Sequence, residues 1–505
     1  MNFDNINLEI VNRLFRSRYG ILYIVTMEED RIEYSIRQYV KEDLNKLVFS
    51  WCYLDGFSRE NKNINSNTKR NPLQALEFIE ESDNETPSIY ILKNFDQFLN
   101  DVSILTKLKM MYQNLSTIPK TIIIISSNLF IPLELKSIIY LLEWKLPSEL
   151  QRIMEISRLF KSLNVEVEKS LILYIAIACQ GLTLDMIRRV ISYMVVSDKK
   201  ITEKSLKYIY LEKKQIYDQY EYLEYFGINP QIQLSNIGGY DILKNWLDRR
   251  RFTFDPYTKD YGAPLITPRG LLLAGLPGNG KEMFVRAIST DWNLQLIKLN
   301  FNKFQLNNLT NIDREHKLIQ ALRIAETIGH CIVWLNDGDK LLFNVNANGF
   351  NNRFVNIFKN WLREKGQHIF VVVTVNEIDM SAYDIFCKGN FDEMFFLDIP
   401  SLAEREEIYK LLIDELCPFI IWEKFNYYEL AVASEGLSGA EIRQSIINAM
   451  YLALSLRREI TTKDIKEAIF NIFPISKLPV PKIKQNELTD LVRSKILKNA
   501  SKDLI

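Results

Sequence analysis

Short unbroken apolar runs alternate with stretches of helical period along the second half of the chain. GLLLA at 270–274, CIVWL at 331–335, FVVVT at 370–374 and MFFLD at 394–398 are the strand candidates. A further strand is expected over 295–299. The runs are continuously apolar, not alternating, which predicts parallel strands covered on both faces. Each ends on polar or turn residues: Asn336-Asp337-Gly338-Asp339-Lys340, Val375-Asn376, and Ile399-Pro400-Ser401. Beyond Pro400 only helical periods follow, over 404–415 and over 438–454, the latter opened by a Ser cap.

The first half repeats this order. ILYIV at 21–25 is a first strand, IYIL at 89–92 precedes Lys93-Asn94-Phe95-Asp96, and IIII at 122–125 precedes Ser126-Ser127-Asn128. The stretch 142–146 (LEWKL), followed by Pro147-Ser148, takes the place of the last strand. GLTLDMIRR at 181–189 then echoes GLSGAEIRQ at 436–444. Several landmarks in one order predict two copies of one α/β plan, joined near 221–230.

The copies part company after their first strands. The second has GLPGNGKE at 275–282, which matches the phosphate-binding pattern G-x-x-x-x-G-K-[ST] except at its last position. Gly275, Gly278 and Gly280 allow backbone N–H groups to converge on phosphate, and the helix that follows adds its N-terminal dipole. Lys281 supplies a point charge. Glu282 stands where a hydroxyl is expected; a carboxylate is a hard oxygen ligand for Mg²⁺, and without a metal it repels phosphate. The first copy has Thr26-Met27-Glu28-Glu29-Asp30 at this place. It has no glycine there, and its three carboxylates predict a copy that holds no nucleotide.

Composition narrows the classes. The chain of 505 residues carries 63 Lys plus Arg against 63 Asp plus Glu, so net charge provides no pull toward nucleic acid or anionic membrane. Arg249-Arg250-Arg251 reads as a solvated helix end. The five cysteines, at 52, 179, 331, 387 and 417, form no C-x-x-C pair, which predicts a reducing compartment without disulfides or a zinc site. With three histidines, a His-based metal centre is not expected. No signal or transit peptide and no membrane-length apolar run is read, so a soluble protein is expected.

Residues 229–475 resemble an AAA-type ATPase module, with a core over 229–400 and a helical lid over 401–475. The motifs are Ile237-Gly238-Gly239, the Gly-rich loop, CIVWLNDGDK, Asn376, KGNFDEMFFLDIP at 388–400, and GLSGAE. With the degenerate copy at 1–225 and a tail at 476–505, the whole chain is similar to the conserved hypothetical AAA proteins encoded in plastid genomes and in cyanobacteria. RSRYGILYIVTMEEDR at 16–31 carries that narrower match. The resemblance implies two tandem modules, each a parallel sheet covered by helices and followed by a helical lid. It implies ATP or ADP on Gly238, Gly275, Leu276, Pro277, Gly278, Asn279, Gly280, Lys281, Glu282 and Met283. It also implies a ring-type homo-oligomer, a protein client and the chloroplast stroma.

Several positions depart from the family. Its Asp-Glu pair, which holds Mg²⁺ and polarises the attacking water, is Asn336-Asp337 here. Asn336 keeps the shape without the charge, and Asp337 is about 1.5 Å short. The family's Arg-x-Gly-Arg-Phe-Asp is CKGNFD at 387–392; loss of such an arginine costs about 10³–10⁵ in rate. Asn376 keeps the polar sensor position, and its plain alternative is a strand-end cap. Phe304 and Leu306 fall where relatives carry a pore loop, without its glycines. Three readings remain. The first is a nucleotide-binding AAA protein with weak or no hydrolysis, acting in assembly or regulation. The second is an active remodelling ATPase with Glu282 on the metal and Asp337 as base. The third is a nucleotide-free scaffold in which Lys281 pairs with Glu282 or Asp337.

Overall fold

The computed structural model describes residues 5–43, 46–59, 62–115, 117–198, 200–254, 267–300, 303, 311–339, 349–366, 368–376, 390–417, 425–474, 476 and 498–501. Two compact units divide the chain, Met1–Ile201 and Thr202–Ile505.

The first unit is built on a seven-stranded sheet: β1 (Ile21–Val25), β2 (Leu47–Cys52), β3 (Gly56–Arg59), β4 (Lys62–Asn65), β5 (Ser88–Lys93), β6 (Lys120–Ser126) and β7 (Ile139–Glu143), in the order β4-β3-β2-β5-β6-β1-β7. The five strands β7, β1, β6, β5 and β2 are parallel, and β3 and β4 extend the edge antiparallel. Both faces of β1, β5 and β6 are buried, one against helices carrying Ile104 and Leu108, the other against helices carrying Val11 and Ile36. The helices Glu149–Ser162, Lys169–Ala178 and Leu184–Ser197 follow β7.

The second unit repeats the arrangement with β8 (Leu223–Phe226), β9 (Gly270–Gly275), β10 (Gln295–Leu299), β11 (Cys331–Leu335), β12 (Ile369–Val375), β13 (Glu393–Leu397) and β14 (Lys498–Asn499). Their order is β14-β13-β9-β12-β11-β10-β8. Counted from the first parallel strand of each unit, both sheets run fifth, first, fourth, third, second. That identity of topology carries the two-copy α/β reading from patterning to geometry. A lid of helices Leu402–Leu416, Tyr427–Ala433, Gly439–Ser455 and Thr462–Phe470 encloses its own core around Tyr409, Leu430, Ile442 and Ile465.

Both lids start alike. Ser148 and Ser401 each cap the first lid helix in a capping box, with Gln151 and Glu404 three residues on. The next residue is a buried arginine in each case. Arg152 donates from Nε to Ala176 O (2.8 Å) and from NH1 to Pro147 O (2.7 Å). Arg405 does the same to Ala431 O (2.9 Å) and Pro400 O (2.7 Å).

One strand differs from its expected span. The ladder with β1 runs over Ile139–Glu143, three residues before the stretch 142–146. It ends where β1 ends, with Trp144 N donating to Val25 O (2.9 Å). As an outer strand it exposes Tyr140 and Leu141, so burial does not mark its limits.

Candidate functional site

The C-terminal ends of β9, β12 and β11 lie side by side in the second sheet, the edge at which open α/β sheets take ligands. Three chain exits meet there: the Gly-rich loop after β9, Asn376 after β12, and Asn336-Asp337 after β11. A cavity of about 650 Å³ opens between this edge and the lid.

Gly280 caps the helix Lys281–Asp291 with φ +81°, and Gly278 has φ +88°. A Cβ on Gly280 would meet nothing within 4 Å, so the loop surface there is open, as a phosphate cradle requires. The Gly278 carbonyl accepts from Ala440 N (3.1 Å) at the start of the lid helix Gly439–Ser455, tying loop to lid. Lys281 Nζ donates to the loop's own carbonyls, Gly275 O (2.6 Å) and Leu276 O (2.9 Å). Burial pushes the ammonium down to about 8, against the pull of Asp339 and Asp337. Asn279 is 2 % exposed; its Nδ2 donates to Leu397 O (2.9 Å), and its Oδ1 has no hydrogen-bond partner.

Glu282 faces the solvent side of this helix, half-exposed, and accepts from Arg286 (2.6 Å) one turn on. Arg286 also lies 5.0 Å over the Phe226 ring. Thr374 organises the opposite wall: its hydroxyl donates to Asn336 Oδ1 (3.0 Å) and accepts from Trp334 Nε1 (3.0 Å). Asp337 has φ +50°, a left-handed conformation that Asp tolerates. Its Oδ1 accepts from Asn376 Nδ2 (3.4 Å). The cavity lining also has an apolar part, Ile237, Ile408, Leu411 and Leu412, beside Gly238.

Of the residues singled out in the sequence, Gly238, Pro277 to Met283, Asn336, Asp337 and Asn376 line the cavity; Gly275 and Leu276 lie behind it and hold Lys281. Cys387, Lys388, Gly389, Phe304 and Leu306 lie outside the described residues. Asn390, at the second arginine position, is 2 % exposed and accepts from Arg363 Nε (3.1 Å). Sequence reading missed Tyr240, Arg286 and Arg443, which also line the cavity. Arg286 could have been found from its i,i+4 relation to Glu282, and Arg443 from its place two residues beyond the GLSGAE motif, one turn after Gly439 at the start of the lid helix.

In the first unit the corresponding turn is occupied by its own side chain. Glu28 Oε1 accepts from Leu184 N (2.7 Å), at the start of the lid helix Leu184–Ser197, and Arg31 pairs with Oε2 at 2.9 Å. Thr26 Oγ1 accepts from Glu28 N (3.1 Å). Glu29 accepts from Asn94 (3.0 Å) and Asp30 from Lys93 (2.7 Å).

The topology and the Gly-rich loop below a helical lid define an AAA-type protein. The family model described as "ATPase family associated with various cellular activities (AAA)" matches residues 271–399. Models of the "SpoVK-like AAA ATPase" N-terminal and second domains match 8–144 and 148–219. An uncharacterized AAA domain-containing protein, ycf46, of Trieres chinensis is 45% identical over 468 residues, 92% of this chain and 93% of that one. The ycf46 protein of Pyropia yezoensis is 39% identical over 466 residues, covering 92% and 93%. A proteasome-activating nucleotidase of Saccharolobus islandicus is 23% identical over 214 residues, 41% of this chain and 53% of its own. The chain belongs to the ycf46 family of AAA domain-containing proteins encoded in plastid genomes.

Proposed function

We propose that the second unit binds ATP or ADP and hydrolyses ATP slowly or not at all, the chain acting as an assembly or regulatory member of the AAA family. One observation carries the reading. An open glycine loop with Lys281 shares a 650 Å³ cavity with the apolar side chains Ile237, Ile408, Leu411 and Leu412, a lining that suits a phosphate chain joined to a flat heterocycle. Asn279 Oδ1, buried without a partner in this cavity wall, is a further acceptor suited to a ligand donor.

The hydrolytic parts fit less well. Asn336 is neutral and spends its Oδ1 on Thr374. Glu282 is neutralised by Arg286. Among the described residues no group of three His, Cys, Asp or Glu converges to hold a metal, so Mg²⁺ would enter with the nucleotide's phosphates, using Asn336, Asp337 or Glu282 as partners. Its contribution would be charge neutralisation. Asp337 is the remaining carboxylate for a water, and it accepts a hydrogen bond from Asn376. Asn390 faces Arg363 of its own unit, and an amide there offers no cation to a neighbouring subunit's phosphate.

The scaffold reading called for Lys281 paired with Glu282 or Asp337. Lys281 instead bonds loop carbonyls, leaving a cation that a phosphate can recruit. The plastid stroma and a ring of identical subunits are the setting we infer from the family. Among the described residues no helix is long and apolar enough to cross a membrane.

Calorimetric titration with ADP and ATP, with and without Mg²⁺, tests the proposal beside steady-state hydrolysis. Saturable binding that changes little with Mg²⁺, and turnover below about 0.1 s⁻¹, is expected. Strongly Mg²⁺-dependent binding with faster turnover would establish the remodelling enzyme instead. No binding at millimolar nucleotide would establish the scaffold.

A further inference from the structure

The segment Lys498–Ser501 is built into the second unit against residues distant from it in sequence. Lys498 and Asn499 form β14, parallel to β13 at its outer edge, and Lys498 pairs with Glu393. Ala500 is 0 % exposed and belongs to the core on one face of the sheet. Its N–H donates to Phe396 O (3.0 Å), and its carbonyl accepts from Ile242 N (3.0 Å) and Leu243 N (3.3 Å). It thus caps the helix Asp241–Arg251, whose N-cap Tyr240 provides no side-chain bond.

Ser501 comes next, 7 % exposed. Its hydroxyl donates to Glu404 Oε1 at 2.6 Å. The same oxygen accepts from Tyr240 N (3.0 Å), while Oε2 accepts from Ser401 N (2.9 Å). Glu407, one turn along the lid helix, accepts from Gly239 N (2.8 Å). The backbone of 238–240 is therefore pressed onto the first lid helix. Gly239 has φ +74°, and a Cβ there would lie 2.5 Å from Glu404 Oε1. This loop lines the cavity together with the apolar lid residues Ile408, Leu411 and Leu412.

We infer that Ser501 is a positioning residue for nucleotide recognition. It fixes the buried Glu404 carboxylate in the rotamer that holds Tyr240 and Gly239, and so sets the wall against which the base rests. The inference rests on the nucleotide reading above. A carboxylate this buried needs its full set of donors. With the serine hydroxyl removed, Glu404 Oε1 keeps Tyr240 N alone as its donor, and the hold of the carboxylate on the loop weakens. The larger effect falls on the base end of the cavity: the phosphate end is tied to the lid through Gly278 and Ala440, and Tyr240 adds one hydroxyl contact to it, at Asn279 O (3.4 Å).

The test uses the full chain with Ser501→Ala and Ser501→Thr, titrated with ADP and with inorganic tripolyphosphate, which occupies the phosphate end and has no base. Ser501→Ala is expected to weaken ADP by about tenfold, the effect of one hydrogen bond to a charged group. Tripolyphosphate affinity should stay as in wild type, and Ser501→Thr should recover ADP binding. Equal ADP affinity in wild type and Ser501→Ala would overturn the positioning role while leaving the nucleotide site intact. Equal weakening of ADP and tripolyphosphate would overturn it too, as a general loosening of the unit. If the wild type binds tripolyphosphate and not ADP, the nucleotide reading itself fails, and the inference with it.

Discussion

The chemistry of the site turns on a few single residues, and Lys281 is the first. Its ammonium satisfies the carbonyls of its own loop, with its pKa lowered by burial to about 8. Lys in the unfolded chain titrates near 10.5, so between these values the unfolded state binds more protons. The Lys281 contribution to stability accordingly improves as pH rises from 8 toward 10.5. Nucleotide binding runs the other way. A phosphate beside Nζ raises the lysine's proton affinity, so affinity is full below about pH 8 and declines above it, by up to about tenfold per unit. Calorimetry in buffers of different ionisation heat should record proton uptake above pH 8; a flat profile would remove Lys281 from phosphate contact. Lys281→Ala should cost about 10- to 100-fold in ATP affinity. The triple variant Glu282→Thr, Asn336→Asp, Asp337→Glu should make binding Mg²⁺-dependent and tighter. If it leaves binding unchanged, the limiting feature lies outside these three side chains.

At the scale of elements, the lids depend on the buried arginines that open them. Arg152→Ala removes the guanidinium donors of Ala176 O and Pro147 O, and Arg405→Ala that of Pro400 O, while Ala431 O keeps the Ser434 hydroxyl (3.2 Å); the cost is about 1–3 kcal/mol per orphaned group. Thermal or denaturant unfolding that moves by less than the lower figure would show that water replaces the guanidinium. These arginines mark what was and was not legible beforehand. Strands β9, β11, β12 and β13 and β1, β5 and β6 are covered on both faces, so apolar runs announced them. The exit residues Asn336, Asp337 and Asn376 followed from where those runs stop. β7, β8 and β14 are outer strands, set by pairing with a neighbour and not by burial, and apolar periodicity has little hold on them. β2, with its mixed LVFSWC, alternates between buried and half-buried positions and was passed over. Arg152 and Arg405 were invisible as core residues because a charged side chain reads as surface until its carbonyl partners are placed. Tyr240, Arg286 and Arg443 reach the cavity from separate elements that only the folded lid brings together.

Across the whole molecule, two copies of one topology join lid to sheet by different means. In the first, the Glu28 carboxylate and Arg31 make the connection at the start of the lid helix Leu184–Ser197. In the second, the connection at the same place is the Gly278 carbonyl, beside a cavity open to a ligand. Glu28→Ala should therefore destabilise the first unit by about 3 kcal/mol, the cost of breaking a buried pair. Hydrogen exchange should then speed up in the helix 184–197. ADP at a hundredfold excess over its Kd should stabilise by about 2.7 kcal/mol, with protection gained in 202–501 and none in 5–201. Protection spread over both halves would show that the first copy takes ligand as well.

Trp334 offers a way to watch the site by light. Its indole is fully buried, its N–H is held by the same Thr374 hydroxyl that serves Asn336, and Lys298 lies 4.8 Å over its ring. Emission from an indole follows the electric field along its ring. A ligand charge or a new carboxylate at position 336 should therefore shift the Trp334 component of the fluorescence, isolated as the difference from a Trp334→Phe protein. The cavity carries its own optical probe, one hydroxyl away from the residue, Asn336, at which this chain lacks the charge of the AAA pattern.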